Sequence, residues 1–176
     1  LAGQILYVGI FLFCFMVYLD LFRADYYDRK GSLTLLFALI VLFPVVASVM
    51  VSQSLSSIYI VPFAMIPIIV RIFLDSRTAF MAHVTIILLC STLRFPHEFI
   101  LLQVVAGMVS IYSLRELSQR SQLLRTALVV FASYALLYFA FELIHEDDLT
   151  KLNTRMYIYF MINGILLLFA YPLLFI

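Results

Sequence analysis

The stretch LTLLFALIVLFPVVASVMVSQSL, Leu33 to Leu55, contains no charged residue. At about 1.5 Å of rise per residue it is long enough as a helix to cross the roughly 30 Å hydrocarbon core of a bilayer. Comparable runs lie on both sides of it: Leu1 to Phe22, Ile58 to Leu74, Thr78 to Leu93, His97 to Leu114, Leu123 to Ile144 and Met156 to Ile176. None alternates with the period of two that a barrel strand needs, and only helices and closed barrels satisfy their backbone in lipid. The sequence therefore predicts an all-α polytopic membrane bundle of seven transmembrane helices, forming one domain over residues 1–176.

Composition agrees. The chain is 65% hydrophobic and 12% charged, against about 45–50% and about 25% in ordinary soluble domains, so most of its surface must face lipid. A net charge of +1 with singly scattered basic residues argues against a nucleic-acid partner. Cys14 and Cys90 both fall in apolar runs, where a small buried thiol is the simplest expectation. The chain opens on Leu1 and stops at Ile176 inside an apolar run, which reads as a segment of a longer polypeptide. The first run has neither the basic flank nor the cleavage site of a signal peptide.

Seven crossings place the two ends on opposite sides. One set of loops holds Arg23, Arg29, Lys30, Arg71, Arg77, Arg115, Arg120 and Arg125, and the other only Arg94, Lys151 and Arg155. Lys and Arg accumulate on the cytoplasmic side, so the N-terminus is expected outside and the C-terminus in the cytoplasm. The acidic loop with Glu142, Glu146, Asp147 and Asp148 is then external. The fourth and fifth runs are short and fit a re-entrant hairpin as well as two crossings. Crossing is favoured because a hairpin would carry Arg94, His97 and Glu98 to membrane depth, at about 2.5–3.5 kcal/mol or more per unpaired charge. It also sets Pro96 at the start of the fifth helix with Glu98 in its first turn. Pro44, Pro62, Pro67 and Pro172 lie inside runs and are candidate kinks. Pro62 and Pro67 together suit a broken helix of the kind that builds a transport site, although no matching pair marks an inverted repeat.

Ionisable residues near the hydrocarbon are the natural functional candidates. Asp20 ends the first run and Glu142 the sixth. Arg71 and Asp75 are spaced i,i+4, so they can pair along one helix face, with Arg77 just beyond. The alternative is that Arg71 and Arg77 merely snorkel to the interface. A second polar cluster around Arg115, Glu116, Arg120 and Arg125 is either a docking surface for a cytoplasmic domain or a solvated turn. His83 lacks a second ligand at i+3 or i+4, so helix packing through a hydrogen bond is expected instead of metal binding. Gln103, Ser110 and Asn163 are expected to bond across helices in the same way. No phosphate-binding loop, nucleophile elbow, HExxH or paired His-Asp motif is present.

The strings RIFLDSRTAF, Arg71 to Phe80, and SLRELSQRSQLLRTALVV, Ser113 to Val130, resemble the transmembrane segment of the seven-transmembrane receptors with intracellular HD hydrolase, the PgpH-like membrane proteins of bacteria. The likeness extends to KGSLTLLFALIVLFPVVASV, Lys30 to Val49, and to the closing AYPLLFI. The resemblance implies a parent with an extracellular domain, this bundle and a cytoplasmic HD domain. That HD domain would be a phosphodiesterase acting on cyclic di-AMP with a divalent metal, manganese or iron. The metal ligands of that family lie beyond Ile176, so none is carried over: the chain itself is expected to have no catalytic, cofactor or metal residue. Its expected role is sensing and signal coupling in the bacterial cytoplasmic membrane. Its partners would be lipid, the parent's own two domains and a second copy of the chain. Arg71, Asp75, Arg77, Arg115, Glu116 and Arg120 are the expected coupling network. A transporter-like bundle and a passive anchor are the competing readings.

Overall fold

The computed structural model describes residues 1–93, 95–114, 121–145 and 153–175. Among them the regular structure is helical throughout: α1 (Ala2–Phe22), α2 (Asp25–Asp28), α3 (Lys30–Gln53), α4 (Met65–Phe73), α5 (Ser76–Cys90), α6 (His97–Ser113), α7 (Ser121–His145) and α8 (Thr154–Leu167). Tight 3-10 turns cover Leu55–Ile60, Ser91–Leu93 and Leu168–Phe175. Among the described residues five helical stretches are long and apolar enough to cross a membrane: Ala2–Phe22, Lys30–Gln53, Ser56–Phe73, Ser76–Leu93 and Ser121–His145. The stretches His97–Ser113 and Thr154–Ala170 are apolar but shorter.

Of the two candidate kinks in the run Ile58 to Leu74, Pro62 breaks the helix and Pro67 does not. Pro62 has no N–H to offer the Ile58 carbonyl, and it drives Val61 out of the helical region, to φ −65° and ψ 121°. The Phe63 N–H turns back to the Val61 carbonyl at 2.9 Å. Helix resumes only when the N–H groups of Met65 and Ile66 reach the carbonyls of Pro62 and Phe63, at 2.9 and 3.0 Å. Pro67 falls in the first turn of α4, where a missing donor costs nothing, and α4 runs on unbroken through it. Pro44 likewise stays inside an uninterrupted α3. Pro96 precedes α6 and Glu98 stands in its first turn.

Helices α6 and α7 pack closely, as do α4 with α5 and α7 with α8, while α1 and α3 lie at the edge against α5. The interior is aromatic where α6, α7 and α8 meet the turn before Pro62. The Tyr59 ring meets Phe99, Tyr138 and Phe160 edge-on at 5.4 to 6.4 Å, and Tyr134 stacks on Phe160 at 5.4 Å. The outer faces carry Ile5, Leu6 and Phe13 on α1, Val41, Leu42 and Val45 on α3, and Leu128 and Leu136 on α7, all exposed. In water such a surface would aggregate; in lipid it is the natural solvent face. Cys90 is buried as expected, whereas Cys14 is exposed on α1. Because lipid tails are as apolar as the core, burial of aliphatic side chains adds little drive for these helices to associate. Close packing and interhelical hydrogen bonds hold them together.

Candidate functional site

Two polar clusters stand out from this apolar background. The first is at the junction of α4 and α5. The backbone turns sharply at Leu74, with φ −126° and ψ −114°, so Asp75 opens a new helix instead of continuing α4. Asp75 Oδ2 accepts from the Thr78 N–H at 3.2 Å, a side-chain N-cap. Its Oδ1 accepts from the hydroxyl of Tyr26, a buried residue of α2. The Thr78 hydroxyl in turn meets the Tyr18 hydroxyl of α1 at 3.1 Å. One carboxylate thus gathers α1, α2 and α5.

The expected i,i+4 pair of Arg71 with Asp75 does not form, because the two residues no longer share a helix. Arg71 Nε is buried without a partner. Arg77 is exposed, with its guanidinium 5.6 Å from the Phe22 ring centroid. Asp20, at the end of α1, is exposed too. Arg115, Glu116 and Arg120 lie outside the described residues. Arg23 completes the cluster: its guanidinium sits 4.3 Å from the Tyr26 ring centroid and its Nη2 is 3.2 Å from Asp25 Oδ2. Sequence reading missed Tyr26 and Tyr18. The only signal was the dense polar string from Asp20 to Lys30.

Charge and burial compete at Asp75. Partial burial works to raise its carboxyl pKa; the hydrogen bonds from Thr78 and Tyr26, with the positive charge of Arg23, outweigh that and hold it below the ordinary value of 3.8. Tyr26 moves the other way, up to about 12, first through burial and then through its bond to the Asp75 carboxylate. At neutral pH the pair is therefore a phenol donating to a carboxylate.

The second cluster is fully buried beside the break in the third run. Asn163 of α8 donates through Nδ2 to the carbonyls of Tyr59 and Val61, both at 3.0 Å. The Phe63 N–H that would serve Tyr59 in a continuous helix is spent on Val61, so Asn163 supplies the donors that the break requires. Tyr134 of α7 donates to Gln103 Oε1 of α6. His83 Nε2 of α5 donates to the Gln103 carbonyl at 2.7 Å. Its ring passes so close to Gly107 that a Cβ there would stand 2.2 Å from His83 Cδ2. Gly107 is what allows the imidazole to reach α6. His83, Gln103 and Asn163 bond across helices as the sequence suggested. Ser110 does not: its hydroxyl donates to the Gly107 carbonyl of its own helix at 2.8 Å. Tyr134 and the Val61 to Ala64 break were not anticipated as part of this cluster.

At the opposite end from Asp75, His145 Nε2 and Glu98 Oε1 are 2.8 Å apart. Glu142 accepts from the Asn153 N–H at 3.0 Å and from the Tyr157 hydroxyl at 3.2 Å. These groups border a cavity of about 560 Å³. Among the described residues no three His, Cys, Asp or Glu side chains converge as metal ligands. The divalent metal implied by the family resemblance therefore finds no fitting donor set in them.

The polar junction at Asp75 joins residues of three helices. Among known families, the model of the 7TM receptor with intracellular HD hydrolase matches residues 1–176. The chain belongs to that family. Members of the family join a multi-pass membrane receptor region to an intracellular hydrolase. That is consistent with a sensor domain that is not itself catalytic. No curated protein and no solved structure matches the chain.

Proposed function

We propose that this chain is the transmembrane sensor and coupling domain of a bacterial HD-type cyclic di-AMP phosphodiesterase. It crosses the cytoplasmic membrane seven times, with residue 1 outside and residue 176 inside, and links an extracellular domain to the hydrolase. The observation that carries this reading is the match of the receptor family along the whole chain. The clustering of Arg23, Arg29, Lys30, Arg71, Arg77 and Arg125 at one end of the helices supports the orientation.

Coupling needs a structural element that both sides of the membrane can bias. The Asp75 junction suits that role because it ties α1 and α2 to the first turn of α5. Arg71, Arg77, Arg115, Glu116 and Arg120 are assigned to the same cytoplasmic-face network by their place in the sequence. The break at Val61 to Ala64 is a feature that transporters share, but its Tyr59 and Val61 carbonyls already accept from Asn163, which disfavours a transport path through it. Asp75→Lys in the polypeptide that joins this chain to its HD domain tests the assignment. Normal membrane insertion with altered regulation of cyclic di-AMP hydrolysis is expected. Unchanged activity and regulation would count against it.

A further inference from the structure

The cavity at the end of the bundle opposite Asp75 has two kinds of wall. One is aromatic: Tyr59, Tyr138 and Phe141 border it, and the Tyr59 and Tyr138 rings stand at 70° with centroids 6.4 Å apart, so they meet in a corner. The other is acidic, formed by Glu98 in the first turn of α6 and Glu142 near the end of α7, both half-buried. Among the described residues that border the cavity there is no lysine or arginine, and His145 is the one basic side chain. Two carboxylates thus face at most one imidazolium, and the walls are net negative at neutral pH.

Tyr59 is an independent sign of a ligand. The residue is only 7% exposed, yet its hydroxyl has no hydrogen-bond partner among the described residues. The oxygen is not sealed in the protein, so it opens on the cavity that the residue borders. A phenol buried to this degree ordinarily finds a partner. The carboxylates also keep acceptor capacity. Each offers about four lone-pair positions; His145 takes one on Glu98, and the Asn153 N–H and Tyr157 hydroxyl take theirs on Glu142.

These walls select among ligand classes. An anion is repelled by Glu98 and Glu142, and a neutral molecule would strip water from them without replacing it by charge. A hard metal ion needs a shell of oxygen ligands, whereas half of this lining is aromatic and no three metal-ligating side chains converge among the described residues. Aromatic rings attract organic cations, and about 560 Å³ falls within the roughly 300–1,000 Å³ of small-molecule sites. We propose that this cavity binds a small organic cation, a protonated amine on an apolar body. Glu98, Glu142 and the Tyr59 hydroxyl accept from the ammonium, and the body packs on Tyr138 and Phe141. The site lies within this chain and depends neither on the coupling role nor on the substrate of the hydrolase.

The test is isothermal titration calorimetry of the full chain in lipid nanodiscs, with empty nanodiscs as the blank for partitioning into lipid. The probes share a phenyl ring and differ in head group: 2-phenylethylamine, 2-phenylethanol and 3-phenylpropionate. Saturable, single-site binding of the amine is expected, about tenfold or more tighter than the alcohol, because only the ammonium makes charge-assisted bonds to the carboxylates. The carboxylate probe should not bind. Glu98→Gln and Glu142→Gln should each weaken the amine by about tenfold and leave the alcohol unchanged, a difference that loss of the fold does not produce. No saturable binding of the amine, or equal binding of amine and alcohol, in the unaltered chain would overturn the proposal, and that comparison needs no variant. Undiminished amine binding in a folded chain carrying both Glu98→Gln and Glu142→Gln would overturn it as well.

Discussion

The hydroxyl of Tyr26 donates to Oδ1 of Asp75, joining the short α2 to the first turn of α5 across the bundle. The bond makes the junction sensitive to both ends of the pH scale. The folded Asp75 carboxyl lies below 3.8, so its contribution to stability is present above that value and is lost as pH falls through the folded pKa. Tyr26 is raised from 10.0 to about 12, so its contribution is present below pH 10.0 and is lost as pH rises toward about 12. Thermal unfolding in micelles across pH should show both limbs. Asp75→Asn keeps a capping side chain but should abolish the acid limb, Tyr26→Phe should abolish the alkaline one, and Asp75→Ala should cost about 1 kcal/mol as a lost cap.

Gly107 gives a sharper packing prediction. The Cβ of Gly107→Ala would overlap the His83 ring, which must then leave the Gln103 carbonyl. Overpacking and a lost interhelical bond together should destabilise the chain by about 2–4 kcal/mol. Gly31, with nothing within 4 Å of an added Cβ, is the control. Gly31→Ala should be neutral or more stable by up to about 1 kcal/mol, as a helical glycine replaced by alanine.

Asn163 holds the break through its amide donors, so the type of group matters more than its size. Asn163→Leu should destabilise by about 1–3 kcal/mol, the cost of leaving buried carbonyls unpaired. Asn163→Asp has similar volume but cannot donate when ionised and offers a single O–H in place of two N–H when neutral, so it should fail to restore full stability. Recovery of wild-type unfolding temperature in Asn163→Asp would show that the amide hydrogens are not what secures Tyr59 and Val61.

The helical character of every apolar run was legible from length and charge alone, because lipid leaves few ways to satisfy a backbone. Pro62 announced a break, and the sequence carried that much. It did not show what closes the break, since Asn163 stands about a hundred residues away and nothing local distinguishes it from Gln103 or Ser110. Asp75 was singled out as unusual but given a partner other than Tyr26 and Thr78. The i,i+4 rule assumes one helix through Arg71 and Asp75, and the turn at Leu74 removes that premise. Tyr26 escaped notice because a tyrosine at a membrane edge ordinarily needs no partner from another helix.

The most direct test of the coupling role is the rate of cyclic di-AMP hydrolysis, with manganese, of the proposed polypeptide that joins this chain to an HD domain. It is compared with the same polypeptide carrying an unrelated seven-helix bundle in place of residues 1–176. Loss of activity, or of its regulation, in the exchanged protein is the predicted result. Equal behaviour would reduce the chain to an anchor and contradict the coupling role, and no hydrolysis by the unaltered protein would overturn the assignment of the substrate.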